Sequence, residues 1–94
     1  MTPSMELRFW RTKKGEEVDL VLVKNRQPYP IEVKARWQEH APPSGVTAFC
    51  RRYPSVKKTF TISANAQDSI SEKARTHHFL TLEHVSRILD YLDT

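Results

Sequence analysis

The chain has 94 residues, with 15 Lys/Arg against 11 Asp/Glu for a formal charge of +4, one cysteine and two glycines. That length suits one small domain, 1–94, and leaves no room for a second. No apolar run exceeds four or five residues, so neither a membrane span nor a signal-peptide core is expected, and the expected location is cytoplasmic. The lone Cys50 excludes an internal disulfide, and two glycines exclude a glycine-rich phosphate loop.

Residues 6–12 alternate as a strand, with Leu7, Phe9 and Arg11 on one face and Arg8 and Trp10 on the other. Lys13-Lys14-Gly15 reads as a turn. Residues 17–24 and 28–35 read as a hairpin closed at Asn25-Arg26, with Pro28 and Pro30 confining regular pairing mainly to the later half of its second strand. Ala41-Pro42-Pro43-Ser44 breaks the chain and opens a short helix whose Val46, Phe49, Cys50 and Tyr53 recur at helical spacing and face inward. On that face Cys50 is a small core residue. Pro54 ends the helix, and residues 57–63 read as a fourth strand, reached by a crossover and therefore parallel to a neighbour.

Over 64–76 the composition turns polar with no apolar period, which predicts a flexible loop, a frayed helical turn or disorder. The rest, 77–94, reads as a terminal short strand and helix. Phe79 and Leu80 give the brief strand, and Thr81 caps the helix, with Leu82, Val85, Ile88, Leu89 and Leu92 as its buried stripe and Glu83 in its first turn. The predicted order is βββαβ(β)α, with a core over 6–63: an α/β (α+β) class domain in which helices pack on a mixed sheet.

The chemistry concentrates on the hairpin. Pairing Lys24 with Gln27 sets Asp19 opposite Glu32, and Lys34, two residues on, points to the face of Glu32. Two carboxylates at cross-strand distance repel unless a cation lies between them, and Mg²⁺ or Mn²⁺ suits oxygen ligands of this kind. Lys34 could then orient the attacking water and offset charge on a phosphate. The strand of Asp19 is apolar on both faces, with Val18, Leu20, Val21, Leu22 and Val23, which predicts burial in a sheet with Asp19 at its rim facing a cleft. The alternative is a solvated ladder of surface charge.

Residues 1–60 hold twelve Lys/Arg against six Asp/Glu, and residues 61–94 three against five. The basic bias accompanies the hairpin and is suited to attracting a phosphate backbone, with Lys57 and Lys58 as candidate nucleic-acid contacts; solubility alone is the alternative. Trp10, Tyr29 and Trp37 could stack on unpaired bases or simply pack. His40, His77, His78 and His84 share no zinc-ligand spacing with Cys50, so no zinc site is expected.

Phe9-Trp10-Arg11-Thr12, Gly15, Glu17-Val18-Asp19-Leu20-Val21 and Pro30-Ile31-Glu32-Val33-Lys34-Ala35 occur in order, followed by Phe49-Cys50-Arg51-Arg52-Tyr53-Pro54 and the strand at 57–63. This ensemble resembles the C-terminal domain of a large group of prokaryotic AAA-type ATPases, a domain of unknown function similar in fold to the PD-(D/E)XK nuclease superfamily. The resemblance covers about residues 7–63. It implies a restriction-endonuclease-like fold, with Asp19 and Glu32 as metal carboxylates and Lys34 as the catalytic lysine.

The resemblance also implies an ATPase module as partner, and a helix ahead of the first strand that has no counterpart here. That absence predicts an uncovered apolar face around Phe9 or Trp10, and either a homodimer that covers it or a weakly stable monomer that upstream sequence would strengthen. Two functions follow: metal-dependent hydrolysis of DNA phosphodiesters, or a catalytically inactive nuclease-fold module that binds nucleic acid or docks on an ATPase. A plain oligomerisation module is a third and would need a large exposed apolar patch.

Overall fold

The computed structural model describes residues 5–38, 41–65 and 67–92. The first three strands pair in chain order around the second, which is rich in valine and leucine. β1 (Met5–Arg11) runs antiparallel to β2 (Glu17–Lys24), and β2 antiparallel to β3 (Gln27–Val33). Asn25 and Arg26 close the β2–β3 turn at φ 52° and 69°, the mirror-image two-residue turn whose twist matches a hairpin. The register from Lys24–Gln27 to Leu20–Ile31 is the predicted one.

The crossover from β3 passes through α1 (Ser44–Arg52) into β4 (Lys58–Ser63), which lies parallel to β3 as expected. Arg51 and Arg52 in the last turn of α1 complement its dipole. Tyr53 still donates its N–H to the Phe49 carbonyl (2.8 Å) before Pro54 ends the helix.

The chain then departs from expectation. In place of a loop over 64–76 stand β5 (Asp68–Glu72) and the start of β6 (Arg75–Thr81), a hairpin turning at Lys73, φ 50°. β5 is an edge strand; Asp68, Ser69, Ser71 and Glu72 are all exposed, so it needs no apolar face to form. Among the described residues the sheet has six strands in the order β1-β2-β3-β4-β6-β5, with β4 paired parallel on both sides.

The last helix is also shorter than predicted. Leu82–His84 form a 3₁₀ turn, and only Arg87–Leu92 are α-helical (α2). That change of winding breaks the 3.6-residue stripe: Ile88 and Leu92 are buried, while Leu82, Val85 and Leu89 are exposed. Thr81 does not cap the backbone; its hydroxyl meets His84 Nδ1 at 2.9 Å.

The sheet is packed on both faces. Val18 and Val21 join Val46, Phe49, Cys50 and Val56 on the α1 side. Leu22, Ile31, Phe60, Ile62 and Leu80 join Ile88 and Leu92 on the α2 side. The result is a mixed α+β domain in which, among the described residues, no helix is long and apolar enough to cross a membrane.

Candidate functional site

β2 begins, β3 ends and α1 begins at one end of the sheet, and their junction is a polar cleft of about 210 Å³. Three local features shape it. The first is a bulge: Arg8 pairs with Val21 and Trp10 with Val18, so Phe9 alone faces both Asp19 and Leu20. Inserting one residue shifts the alternation, which is why Val18 and Val21 can face α1 while Leu22 faces α2. It leaves Asp19 exposed at the rim of the cleft.

The second feature is Gly45. A β-carbon there would strike the Glu17 carbonyl and lie 3.1 Å from Glu32 Oε2, so only glycine lets α1 start this close to β2 and β3. The third is Gly15, at φ 89°, which turns the chain into β2 beside the cleft. Both glycines of the chain thus line one site.

Asp19 and Glu32 are cross-bonded. The Val33 N–H donates to Asp19 Oδ2 at 2.8 Å, the Asp19 N–H donates to the Glu32 carboxylate, and the two side chains share a further hydrogen bond. Glu32 is only 5% exposed. Burial first, and the adjoining Asp19 second, push its carboxyl up to about 7. Asp19 is held below its ordinary value, chiefly by the hydrogen bond from Glu32, with the Val33 N–H and Lys34 assisting. Below neutral pH a protonated Glu32 therefore donates to an ionised Asp19.

Lys34 follows β3; its N–H donates to the Ile62 carbonyl (2.8 Å), and its exposed side chain lines the cleft and favours the charged form of both acids. The other acids of the rim already have guanidinium partners: Glu17 with Arg11 at 2.9 Å and Glu16 with Arg51 at 3.3 Å. The predicted trio thus converges on one site.

Lys57 and Lys58 do not join it. They stand where β4 begins, three to four residues upstream of Thr61, the partner of Glu32, or about 10–13 Å along the strand. Lys57 is exposed beside a separate cavity of about 780 Å³. Lys58 Nζ donates to the Tyr91 carbonyl. Of the aromatic candidates, Trp10 packs edge-on against Phe49 (centroids 5.3 Å apart). Tyr29 packs on the α2-side core, and Trp37 Nε1 donates to the Ala41 carbonyl (2.9 Å).

His77 is buried and bonded to the Thr59 hydroxyl at 2.7 Å, with Glu72 at 3.4 Å; burial lowers its pKa. His78 stacks on Tyr91. Cys50 is buried in the α1-side core, and burial raises its thiol pKa. His40 lies outside the described residues.

A divalent ion fits the donor set. The Asp19 and Glu32 carboxylates meet in an open, polar cleft, and two carboxylates with water completing the shell is an ordinary environment for Mg²⁺. Among the described residues, no group of three or more His, Cys, Asp or Glu side chains could hold a metal. Sequence reasoning missed Ser44, Gly45 and the bulge; a glycine just inside a helix start was the available signal, since a helix interior disfavours it.

No curated protein and no solved structure matches the chain. The family model described as Domain of unknown function (DUF4143) matches residues 2–85, and the chain belongs to that family.

Proposed function

We propose that the cleft is a divalent-cation-dependent phosphodiesterase site acting on DNA, in a restriction-endonuclease-like domain of the PD-(D/E)XK kind that serves an AAA-type ATPase. Asp19 and Glu32 are the metal carboxylates and Lys34 is the cation beside the reacting phosphate. The observation that carries this reading is geometric: the Asp19 and Glu32 side chains are hydrogen-bonded to each other in a polar cleft that Lys34 also lines. Two acids pressed together retain a proton or take a cation, and Mg²⁺ or Mn²⁺ relieves the same repulsion.

When bound, such an ion polarises a phosphate oxygen and acidifies a coordinated water. The chain supplies the rest. Asp19 stays ionised and fixed by the Val33 N–H. Glu32, confined beneath Gly45, would hold the ion as a carboxylate after releasing its proton to solvent. Lys34 offsets charge growing on the phosphate and orients the attacking water. The basic bias of residues 1–60, twelve Lys/Arg to six Asp/Glu, draws in the backbone.

Calorimetric titration with Mg²⁺ and Mn²⁺ tests the reading, with Asp19→Ala as control. Binding with proton release near pH 7, lost in Asp19→Ala, is expected, together with plasmid nicking that requires the ion and is lost in Lys34→Ala. No heat with the unaltered chain at millimolar metal sinks the proposal.

The two-carboxylate donor set favours a second reading: a nuclease-fold module that binds nucleic acid or docks on an ATPase without cutting. DNA binding indifferent to Mg²⁺ and to Asp19→Ala, with no strand scission, would select it.

A further inference from the structure

The two edges of the sheet are finished differently. β5 has five residues, four of them exposed and polar, a composition that discourages pairing with another strand. β1 has seven residues without proline or glycine and, among the described residues, pairs with β2 alone. Its Leu7 is 64% and its Phe9 85% exposed. Phe9 therefore remains uncovered as expected, whereas Trp10 does not.

The main chain of β1 has an outward row of hydrogen-bonding groups that no other strand among the described residues engages. Counting alternation from the Lys24–Gln27 pair that closes the turn, the N–H and C=O of Glu6 and Arg8 point to β2, and those of Met5, Leu7 and Phe9 point away from it. The outward row is thus the one whose side chains include both exposed apolar groups.

We infer that β1 is a pairing edge for a second copy of this chain, joined antiparallel about a two-fold axis at Leu7. Four registers engage the outward groups, centred on Glu6, Leu7, Arg8 or Phe9, and centring on Glu6 sets two carboxylates directly opposite each other. Centring on Arg8 sets two guanidinium groups directly opposite each other. Centring on Phe9 sets Arg8 against Trp10 and Leu7 against Arg11, so neither arginine faces an acid across the seam. Centring on Leu7 sets each Glu6 against the other copy's Arg8, twice, and opposite charges facing across strands stabilise a pair.

Within one copy Glu6 already holds Arg8 at 2.6 Å, so the joined strands carry four charges alternating in sign. Leu7 of both copies meets at the axis. Two six-stranded sheets become one continuous sheet, with the carboxylate cleft outside the contact.

Sedimentation of the 94-residue chain across a range of concentrations is expected to show a monomer–dimer equilibrium. Arg8→Glu is expected to weaken association about tenfold, and Glu6→Arg with Arg8→Glu together to restore it. Hydrogen-bonded antiparallel partners lie about 5.5 Å apart at Cα, within disulfide reach. Leu7→Cys should therefore cross-link to itself under mild oxidation, while the unaltered chain, whose Cys50 is buried, should not. A monomer at the highest soluble concentration, a dimer indifferent to Arg8→Glu, a double variant no better than the single one, or Leu7→Cys that stays uncrosslinked would each overturn the inference.

Discussion

The two ends of the parallel strands treat charge in opposite ways. Where β4 and β6 begin, cations answer main-chain acceptors: Lys58 donates to the Tyr91 carbonyl in α2, and Arg75 donates to the carbonyls of Val56 (2.8 Å) and Pro54 (3.0 Å). Where β3 ends, two acids are pressed on each other and one keeps a proton to near neutrality. Charge of the first kind is consumed in holding loops together. Charge of the second kind answers to pH, which is what a site of chemistry requires.

The contrast is broken most severely at Gly45. Gly45→Ala drives a methyl into the Glu17 carbonyl, so the start of α1 must lift off the hairpin; a stability loss of about 3 kcal/mol is expected by chemical denaturation. A loss below about 1 kcal/mol would mean that α1 is not clamped there. At the far end, Arg75→Met strands two carbonyls and is expected to cost about 2 kcal/mol while leaving cation binding at the cleft unchanged. Weaker Mg²⁺ binding in this variant would show that the two ends are coupled.

Glu32→Gln sharpens the comparison through pH. The native carboxyl titrates at about 7 against 4.5 as the ordinary value, so the folded chain holds this proton more tightly than the unfolded one. That stabilisation is full below about pH 4.5 and is lost as pH rises through 7. Asp19, held low, acts in the opposite sense, contributing above its ordinary value and losing that contribution in acid. Unaltered protein is therefore expected to lose on the order of 1–2 kcal/mol between about pH 5 and pH 8, after allowance for solvent screening, and Glu32→Gln to lose much less. Parallel curves for the two proteins would show that the acids do not share a proton.

The smallest effects belong to the lysine pair. Lys57→Glu is expected to leave stability unchanged and, if Lys57 touches a phosphate, to lower the slope of log K for DNA against log salt by about one. An unchanged slope assigns Lys57 to solubility. Lys58→Glu should instead cost about 1 kcal/mol of stability, because it removes a donor to the Tyr91 carbonyl.

Much of this arrangement was legible in the residues. Apolar runs on both sides of Asn25-Arg26 fixed the hairpin register, and the register placed Asp19 opposite Glu32 with Lys34 beyond. The parallel placement of β4 followed from the crossover through α1. Other features leave weaker traces. β5 carries no apolar face because an edge strand can form on main-chain bonds alone, so Asp68-Ser69-Ile70-Ser71-Glu72 reads as loop. The stripe from Leu82 to Leu92 presumes uniform winding, which a 3₁₀ start removes. The bulge shows only as a slip in alternation between Val18 and Val21, with no glycine or proline to mark it. Gly45 is conspicuous in a chain with two glycines, yet its purpose depends on the approach of a distant strand.

The bulge at Asp19 and Leu20 also bears on how the chain tolerates change. Asp19 lies in the bulge and belongs to neither hydrophobic layer, so the packing of Val18, Val21 and Leu22 does not depend on its side chain. A replacement there therefore acts first on the end of β3, through the Val33 N–H and the Glu32 carboxyl that Asp19 holds, and leaves the two hydrophobic layers as they are.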